Sequence, residues 1–265
     1  MANTVYDNFV LESVLNDNLK TKLNANNWMT IDNSLVGAEG DFVKVVKYTY
    51  SGEVEKLAKG AKNTDSKRGS ITTAATNYTI KCAQEVFDYA DEDTNKDSKT
   101  VEYGMKGASN LMVNDMVNDF FTEIAKATLS QTYTKGGAIS YETVVDAIAK
   151  MNLEDESGLM LLIGNDLKAQ IRKDADFKSK ELGKVIADGA IGTLSGVPVI
   201  CSKAVPAKTA YLFTKEAVTC YMKKDSEVEQ DRDKEARSNT VILRTYDVIA
   251  LTDATKVVKI TEALA

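Results

Sequence analysis

Asp115, Asp119 and Glu123 recur every fourth residue. On a helix their carboxylates would share one face, where they could hold a cation or work as an acid and base pair. The competing reading is a solvated face, which acid stripes on helices usually are, and no nucleophile or second carboxylate group converges on them in the sequence. Gly189, Gly192 and Gly196 form a second candidate, with Pro198 and Pro206, both prolines of the chain, close behind. A phosphate-cradling loop needs a lysine and a helix N-terminus after its last glycine. Here Val197-Pro198 follow, and the dinucleotide fingerprint fails both on spacing and on the strand that comes next. A rigid irregular turn delivering a strand over Val197–Cys201 is the expectation. Histidine is absent, which removes His-based triads, His general bases and every metal site that requires imidazole.

The remaining composition narrows the classes further. Cys82, Cys201 and Cys220 are an odd count without C-x-x-C spacing, as expected of free thiols in a reducing cytosol. Cys201 is expected as a small apolar side chain on a buried strand. A net charge of −6 offers no clustered basic footprint for specific DNA or RNA binding. No apolar run approaches the ~20 residues of a membrane span, and the first residues lack the basic and apolar regions of a secretory signal. With 265 residues the chain can bury a large core, in one big domain or two smaller ones. There is no internal repeat or low-complexity tract.

The elements that must position these residues follow from periodicity. Tyr6, Phe9, Val10, Val14 and Leu19 place an amphipathic helix on an arm over residues 4–23, its sparse stripe suited to packing on a neighbouring chain, with packing on its own domain as the alternative. Phe42 to Tyr50 and Ser70 to Thr79 are extended. The glycine-bearing, charged stretch Ser51–Gly69 between them has almost no large apolar groups, so it should project as a long two-stranded loop. Asn77 to Asp88 alternates Tyr78, Ile80 and Cys82 against Asn77, Thr79 and Lys81, as a half-buried strand would. After the polar turn Asp91–Asp97, a helix from Ser98 to about Thr128 aligns Met105, Ala108, Met112, Met116, Phe120 and Ile124, widened by Val113, Val117 and Phe121. Its length would be ~45 Å.

Ser140 caps a further helix expected to bury Tyr141, Val144, Val145, Ile148 and Met151. Leu159–Ile163 reads as a buried strand, and Gly164-Asn165-Asp166 opens a short helix reaching about Lys173. Nine of the thirteen residues Asp225–Arg237 are charged. Strands over Thr240–Leu251 and Lys256–Ile260 close the chain.

The order of pieces from Leu159 to Phe213 resembles the A-domain of major capsid proteins with the HK97-type fold, the shell subunits of tailed bacteriophages. These pieces are the apolar strand, the Asn-Asp cap, the short helix with Arg172, the G-x-x-x-G-V-P-V strand, Pro206 and Ala210-Tyr-Leu-Phe213. The long loop and the long helix extend the resemblance over nearly the whole chain. It implies an α+β, HK97-like capsid fold. The N-terminal arm would be 1–36, an extended E-loop hairpin 37–76, a P-domain with its long spine helix 77–130, an A-domain 131–224 and return strands of the P-domain 225–265. It also implies assembly through hexamers and pentamers into an icosahedral head around double-stranded DNA that is enclosed without sequence-specific binding. Partners would be further copies, a portal and a separate scaffolding protein, the arm being short for a fused scaffold. No cofactor, metal or membrane is expected. The subunit would be assembled in the host bacterial cytoplasm and reside in the virion.

Function would then reside in interfaces rather than catalysis. Expected inter-subunit contacts are Phe9 and the single tryptophan Trp28 in the arm, Lys56, Lys59, Lys62, Lys67 and Arg68 in the E-loop, and Gly192, Gly196 and Pro198 in A-domain turns around the five- and six-fold axes. Some members weld subunits through an isopeptide bond from a loop lysine to a neighbour's asparagine, promoted by a buried glutamate. Neither partner is identifiable in this sequence, so solvation or salt bridging is the expectation for these lysines. Two rivals are weighed against the phage head. One is an encapsulin-like nanocompartment of the same fold, and the other is a cytosolic α/β enzyme or ligand-binding protein using Leu159–Pro206.

Overall fold

The structure is a computed structural model that describes residues 28–37, 39–96, 99–134, 136–137, 139–173 and 192–263. The expected arm helix with Phe9, and Gly189, lie outside them. In chain order the elements are β1 (Thr30–Asp32), β2 (Phe42–Ser51), β3 (Ser70–Thr79), β4 (Lys81–Ala90), α1 (Asp91–Lys96), α2 (Thr100–Ile124), β5 (Leu129–Tyr133) and α3 (Tyr141–Met151). They continue with β6 (Leu159–Ile163), α4 (Asn165–Lys173), β7 (Thr193–Leu194), β8 (Val197–Cys201), β9 (Thr209–Thr214), β10 (Val218–Asp233), β11 (Ser238–Leu251) and β12 (Val257–Glu262).

Strands β2 and β3 pair only with each other, as an antiparallel ribbon from Phe42↔Thr79 to Ser51↔Ser70. A second sheet runs β1-β10-β11-β4, and a third runs β5-β12-β9-β6-β8-β7. Helix α2 lays its Met and Phe stripe on the second sheet, joining Met105, Met112, Met116 and Phe120 to Val241, Leu243 and Ile249. Helices α3 and α4 cover one face of the third sheet, packing Val144, Ile148, Leu167 and Ile171 on Leu161, Ile163 and Leu212.

The other face of the third sheet meets the C-terminal end of α2. Strand alternation divides β9 between the two cores. Tyr211 and Phe213 join the α2 core, while Ala210 and Leu212 join the α3 and α4 core. Phe120 lies 5.8 Å from Phe213, and Phe121 6.2 Å from Tyr211, ring centroid to centroid.

Several expectations shift by identifiable physics. The long helix spans Thr100–Ile124, its last turns loosening after Ala125, whose N–H is shared between the carbonyls of Phe121 and Glu123. The alternation read through Asn77–Asp88 breaks at Ile80. There the chain leaves its pairing with β2 and joins β11, and Ile80 N–H donates to Asp41 O at 2.9 Å. The inward parity then becomes Ala83, Glu85, Phe87 and Tyr89, and Cys82 is exposed. Ser140 caps α3, its side chain accepting from Thr143 N–H, but Tyr141 and Val145 face solvent. Thr143 and Ala147 take the buried positions because the sheet covers a narrower arc of the helix than the apolar residues span. Cys201 is half-buried and Cys220 is the buried thiol. The 224/225 boundary falls inside β10, one continuous strand with irregular register at Met222–Glu227. Strand β12 enters the third sheet between β5 and β9.

Candidate assembly surface

The hairpin meets the body only at its root. Val43 is buried and Tyr78 half-buried, both on the face turned inward. Polar contacts complete the root. Lys223 Nζ donates to Gly40 O at 2.5 Å, and Lys47 pairs with Asp253 at 3.7 Å. Lys126 stands 5.6 Å from the Tyr78 ring centroid while its Nζ binds Glu123 Oε1 at 2.5 Å. Beyond this root, β2, β3 and the connecting tip are surrounded by solvent.

The acid stripe of α2 reaches this junction. Asp115 and Asp119 are exposed and Glu123 is buried against Lys126. With Asp247 of β11, Tyr78 and Lys81, Asp119 and Glu123 line a shallow polar cleft. Burial, then the negative charges of Asp119 and Asp115, push the Asp247 carboxyl up to about 6. Burial and Asp115 also raise Asp119, against the pull of Lys81. Among the described residues no group of three or more acidic or thiol side chains is arranged to hold a metal ion. The stripe is thus solvated at Asp115 and Asp119 and buried at Glu123, where it passes beneath the hairpin root.

Two of the thiols, Cys220 and Cys201, are held in their neutral form. Burial and the nearby Asp247 push Cys220 up to about 12, and burial raises Cys201.

The loop lysines lie along the hairpin tip. Lys56, Lys59 and Lys62 are exposed, Lys67 pairs with Glu53 at 3.7 Å, and Arg68 with Asp65 at 3.2 Å. Trp28 is 7% exposed, with its ring centroid 5.8 Å from that of Phe120. The structure therefore places that anchor inside its own chain, leaving little of the ring for a neighbour. Gly192, Gly196 and Pro198 come together at the β7–β8 hairpin, where Ser195 and Gly196 have φ of 55° and 79°. Positive φ at both central residues makes a two-residue hairpin turn of the I′ kind, a regular turn in place of the irregular one expected. It opens a strand rather than a helix, so it offers no phosphate cradle.

Sequence reasoning missed the outward hairpin face. Phe42 is 63% exposed, Tyr48 69%, Tyr50 71% and Ile71 70%. The signal was available, since these β2 residues share the parity of Lys44 and oppose that of Val43 and Val45.

Comparison with known proteins places this geometry. The family model described as phage capsid protein matches residues 73–260. The chain is similar to the major capsid protein of Staphylococcus phage phiMR11, with 27% identity over 263 residues, covering 96% of this chain and 92% of that protein. In structure it is similar to the capsid of cyanophage P-SCSP1u, with a TM-score of 0.72 at 12% identity over 91% of this chain and 88% of the other. It is also similar to a virus-like particle from Pyrococcus furiosus, with a TM-score of 0.65 at 12% identity over 97% and 100% of the two chains. A hairpin that buries nothing of its own beyond the root, a long helix on a sheet, and a family match over most of the chain converge: the chain belongs to the phage capsid protein family and is a shell subunit with the HK97-like fold.

Proposed function

We propose that copies of this chain associate into hexamers and pentamers and close into an icosahedral phage head around double-stranded DNA. The hairpin carries this reading. A two-stranded ribbon is marginal by itself in water, and this one gains support from its own chain only at the root, so its order depends on lying across the next subunit. In this scheme the hairpin of β2 and β3 is the E-loop, α2 is the spine helix, and residues 131–224 supply most of the A-domain, with β12 closing its sheet. The turn at Gly192, Gly196 and Pro198 lies toward the symmetry axes, and the loop lysines contact a neighbour. The chain works by repeated modest contacts rather than by catalysis. Portal and separate scaffolding protein are its further partners, DNA is enclosed without sequence-specific binding, and assembly occurs in the host bacterial cytoplasm. The test is negative-stain electron microscopy of the purified protein with sedimentation of the same sample. Hollow shells, or hexamers and pentamers that convert to shells, are expected. A stable monomer under all conditions, including co-expression with neighbouring genes, would refute the container.

The similarity to the Pyrococcus furiosus particle favours a second reading, a nanocompartment with protein cargo. Mass spectrometry of purified shells separates the two: a stoichiometric enzyme inside would support the compartment, and packaged DNA the phage head.

A further inference from the structure

We propose that the polar cleft beneath the hairpin root is a binding site for a primary alkylammonium ion, of the class of small linear diamines. The inference concerns a single subunit and is independent of how copies assemble. Tyr78 at the end of β3, Lys81 on β4, Asp119 and Glu123 on α2 and Asp247 on β11 line the cleft, around a volume of about 300 Å³. Glu123 is the residue that points to a ligand. It is 9% exposed, its Oε1 is taken by Lys126, and its Oε2 is buried without a hydrogen-bond partner among the described residues. Burial and then the Glu123 carboxylate raise the nearby Tyr78 phenol, so it stays protonated, yet it lies outside hydrogen-bond geometry to Oε2. A buried carboxylate oxygen without a donor keeps its full desolvation cost, which a ligand carrying that donor would offset.

Charge and donor count select the ligand. Four carboxylates, Asp115, Asp119, Glu123 and Asp247, act on one another through Asp119, against two lysines, of which Lys126 is committed to Glu123 and Lys81 acts on Asp119. Cys220, beside Asp247 on β10, is neutral and adds no charge. Four acids against two lysines leave a surplus of two negative charges near neutrality, and burial with this repulsion holds Asp247 up to about 6. A divalent metal needs six or more oxygens in a close, regular shell, and no three acidic or thiol side chains are arranged for one among the described residues. An ammonium needs less. It carries three N–H donors on one charge and makes charge-assisted bonds at ordinary hydrogen-bond length. Glu123 Oε2, Asp119 and Asp247 supply one acceptor for each donor, and Val248 and Ile249 beside them give an alkyl stem an apolar wall. Asp115, one helical turn or ~6 Å from Asp119, is placed for a second ammonium at the other end of a short chain. Because the walls belong to the hairpin, α2 and β11, the bound ion would tie the three together where the hairpin is rooted.

Isothermal titration calorimetry of dissociated subunits with 1,4-diaminobutane at pH 7.5 and low salt tests the site. The expected result is saturable binding of one diamine per chain. Glu123→Gln and Asp247→Asn should each weaken it about tenfold or more, because each removes one charged acceptor, while Glu102→Gln, an exposed acid of the same helix outside the cleft, should leave it unchanged. Urea unfolding followed by Trp28 fluorescence shows that each variant is folded. At pH 5 wild-type affinity should fall about tenfold or more, since a proton then competes at Asp247 and Asp119 is also raised. Tetramethylammonium, which has the charge and no N–H donor, should bind about tenfold more weakly or not at all. No saturable binding by the wild type, or binding that both cleft variants leave intact, overturns the proposal. Displacement of the diamine by an equal concentration of Mg²⁺ reassigns the cleft to a metal and equally overturns it. Binding by dissociated subunits that assembly abolishes would mean that a neighbouring copy fills the cleft, and overturns the assignment to a free diamine.

Discussion

Asp247 is a carboxylate whose charge the fold disfavours, and replacing it by asparagine has a calculable effect. Its carboxyl is pushed from 3.8 to about 6 by burial and by Asp119 and Asp115. The other groups around it are Thr245, whose side chain draws the value back down, Cys220, whose Sγ lies 4.0 Å from Asp247 Oδ2, and Lys81, opposite it in the β11–β4 register. Because the folded-state value is raised, the native chain binds a proton there that the unfolded chain has already lost between pH 4 and 6. Stability from this group therefore falls as pH rises through that window and stays low above it. At ~1.4 kcal/mol per pH unit across the gap, the charged form costs about 3 kcal/mol near neutrality and nothing below pH 4. Asp247→Asn removes the charge with nearly the same volume. The variant should be more stable than wild type by about 2–3 kcal/mol at pH 7.5 and equal to it at pH 4. The assay is urea unfolding of dissociated subunits by Trp28 fluorescence at both pH values. Taking the difference between variant and wild type cancels the carboxylates whose values are lowered, such as Asp253 and Asp155. A variant less stable than wild type at pH 7.5, or a difference that does not change with pH, would show that Lys81 compensates the charge and would refute the argument.

Three further outcomes follow from packing. Gly104→Ala gains ~1 kcal/mol of helix propensity but sets a Cβ 2.5 Å from Phe87 Cε2, so a net loss of about 1 kcal/mol is expected in the urea midpoint, relieved by adding Phe87→Leu. Phe120→Ala should cost about 3–5 kcal/mol and shift Trp28 emission to the red in the native state, because it removes the ring common to Trp28 and Phe213. Ser140→Ala should cost about 1 kcal/mol in the same assay, with Ser140→Asp close to wild type, since a carboxylate also accepts from Thr143 N–H.

The elements of the fold were legible where one face of an element is buried continuously. The stripe from Met105 to Ile124, the strand Leu159–Ile163 and the Ser140 cap all emerge from spacing because packing enforces the period. Legibility failed where a strand changes partners or where neighbours cover a narrower arc than the apolar residues do. Cys82 was assigned the buried parity because nothing in Tyr78-Thr-Ile-Lys announces a shift from β2 to β11. Tyr141 and Val145 look like core in a helical wheel and lie outside it. Trp28 was read as an anchor on a neighbour because it lies in the arm and aromatics are enriched at interfaces, and the ring it packs on, Phe120, is far along the chain. The exposed outward face of the hairpin went unread although its parity was in the sequence, where Phe42, Tyr48 and Tyr50 alternate with Val43 and Val45 and share their side with Lys44.

Strands β6, β9 and β12 form a party wall between two rooms. Phe213 leans into one and Leu212 into the other, with Leu162 and Leu161 doing the same on β6. Such a wall cannot bow toward one room without withdrawing from the other, so a push on either side is resisted by both fillings at once. The two lobes should therefore melt in one step and move as one block, so that any bending in the subunit is left to the hairpin root.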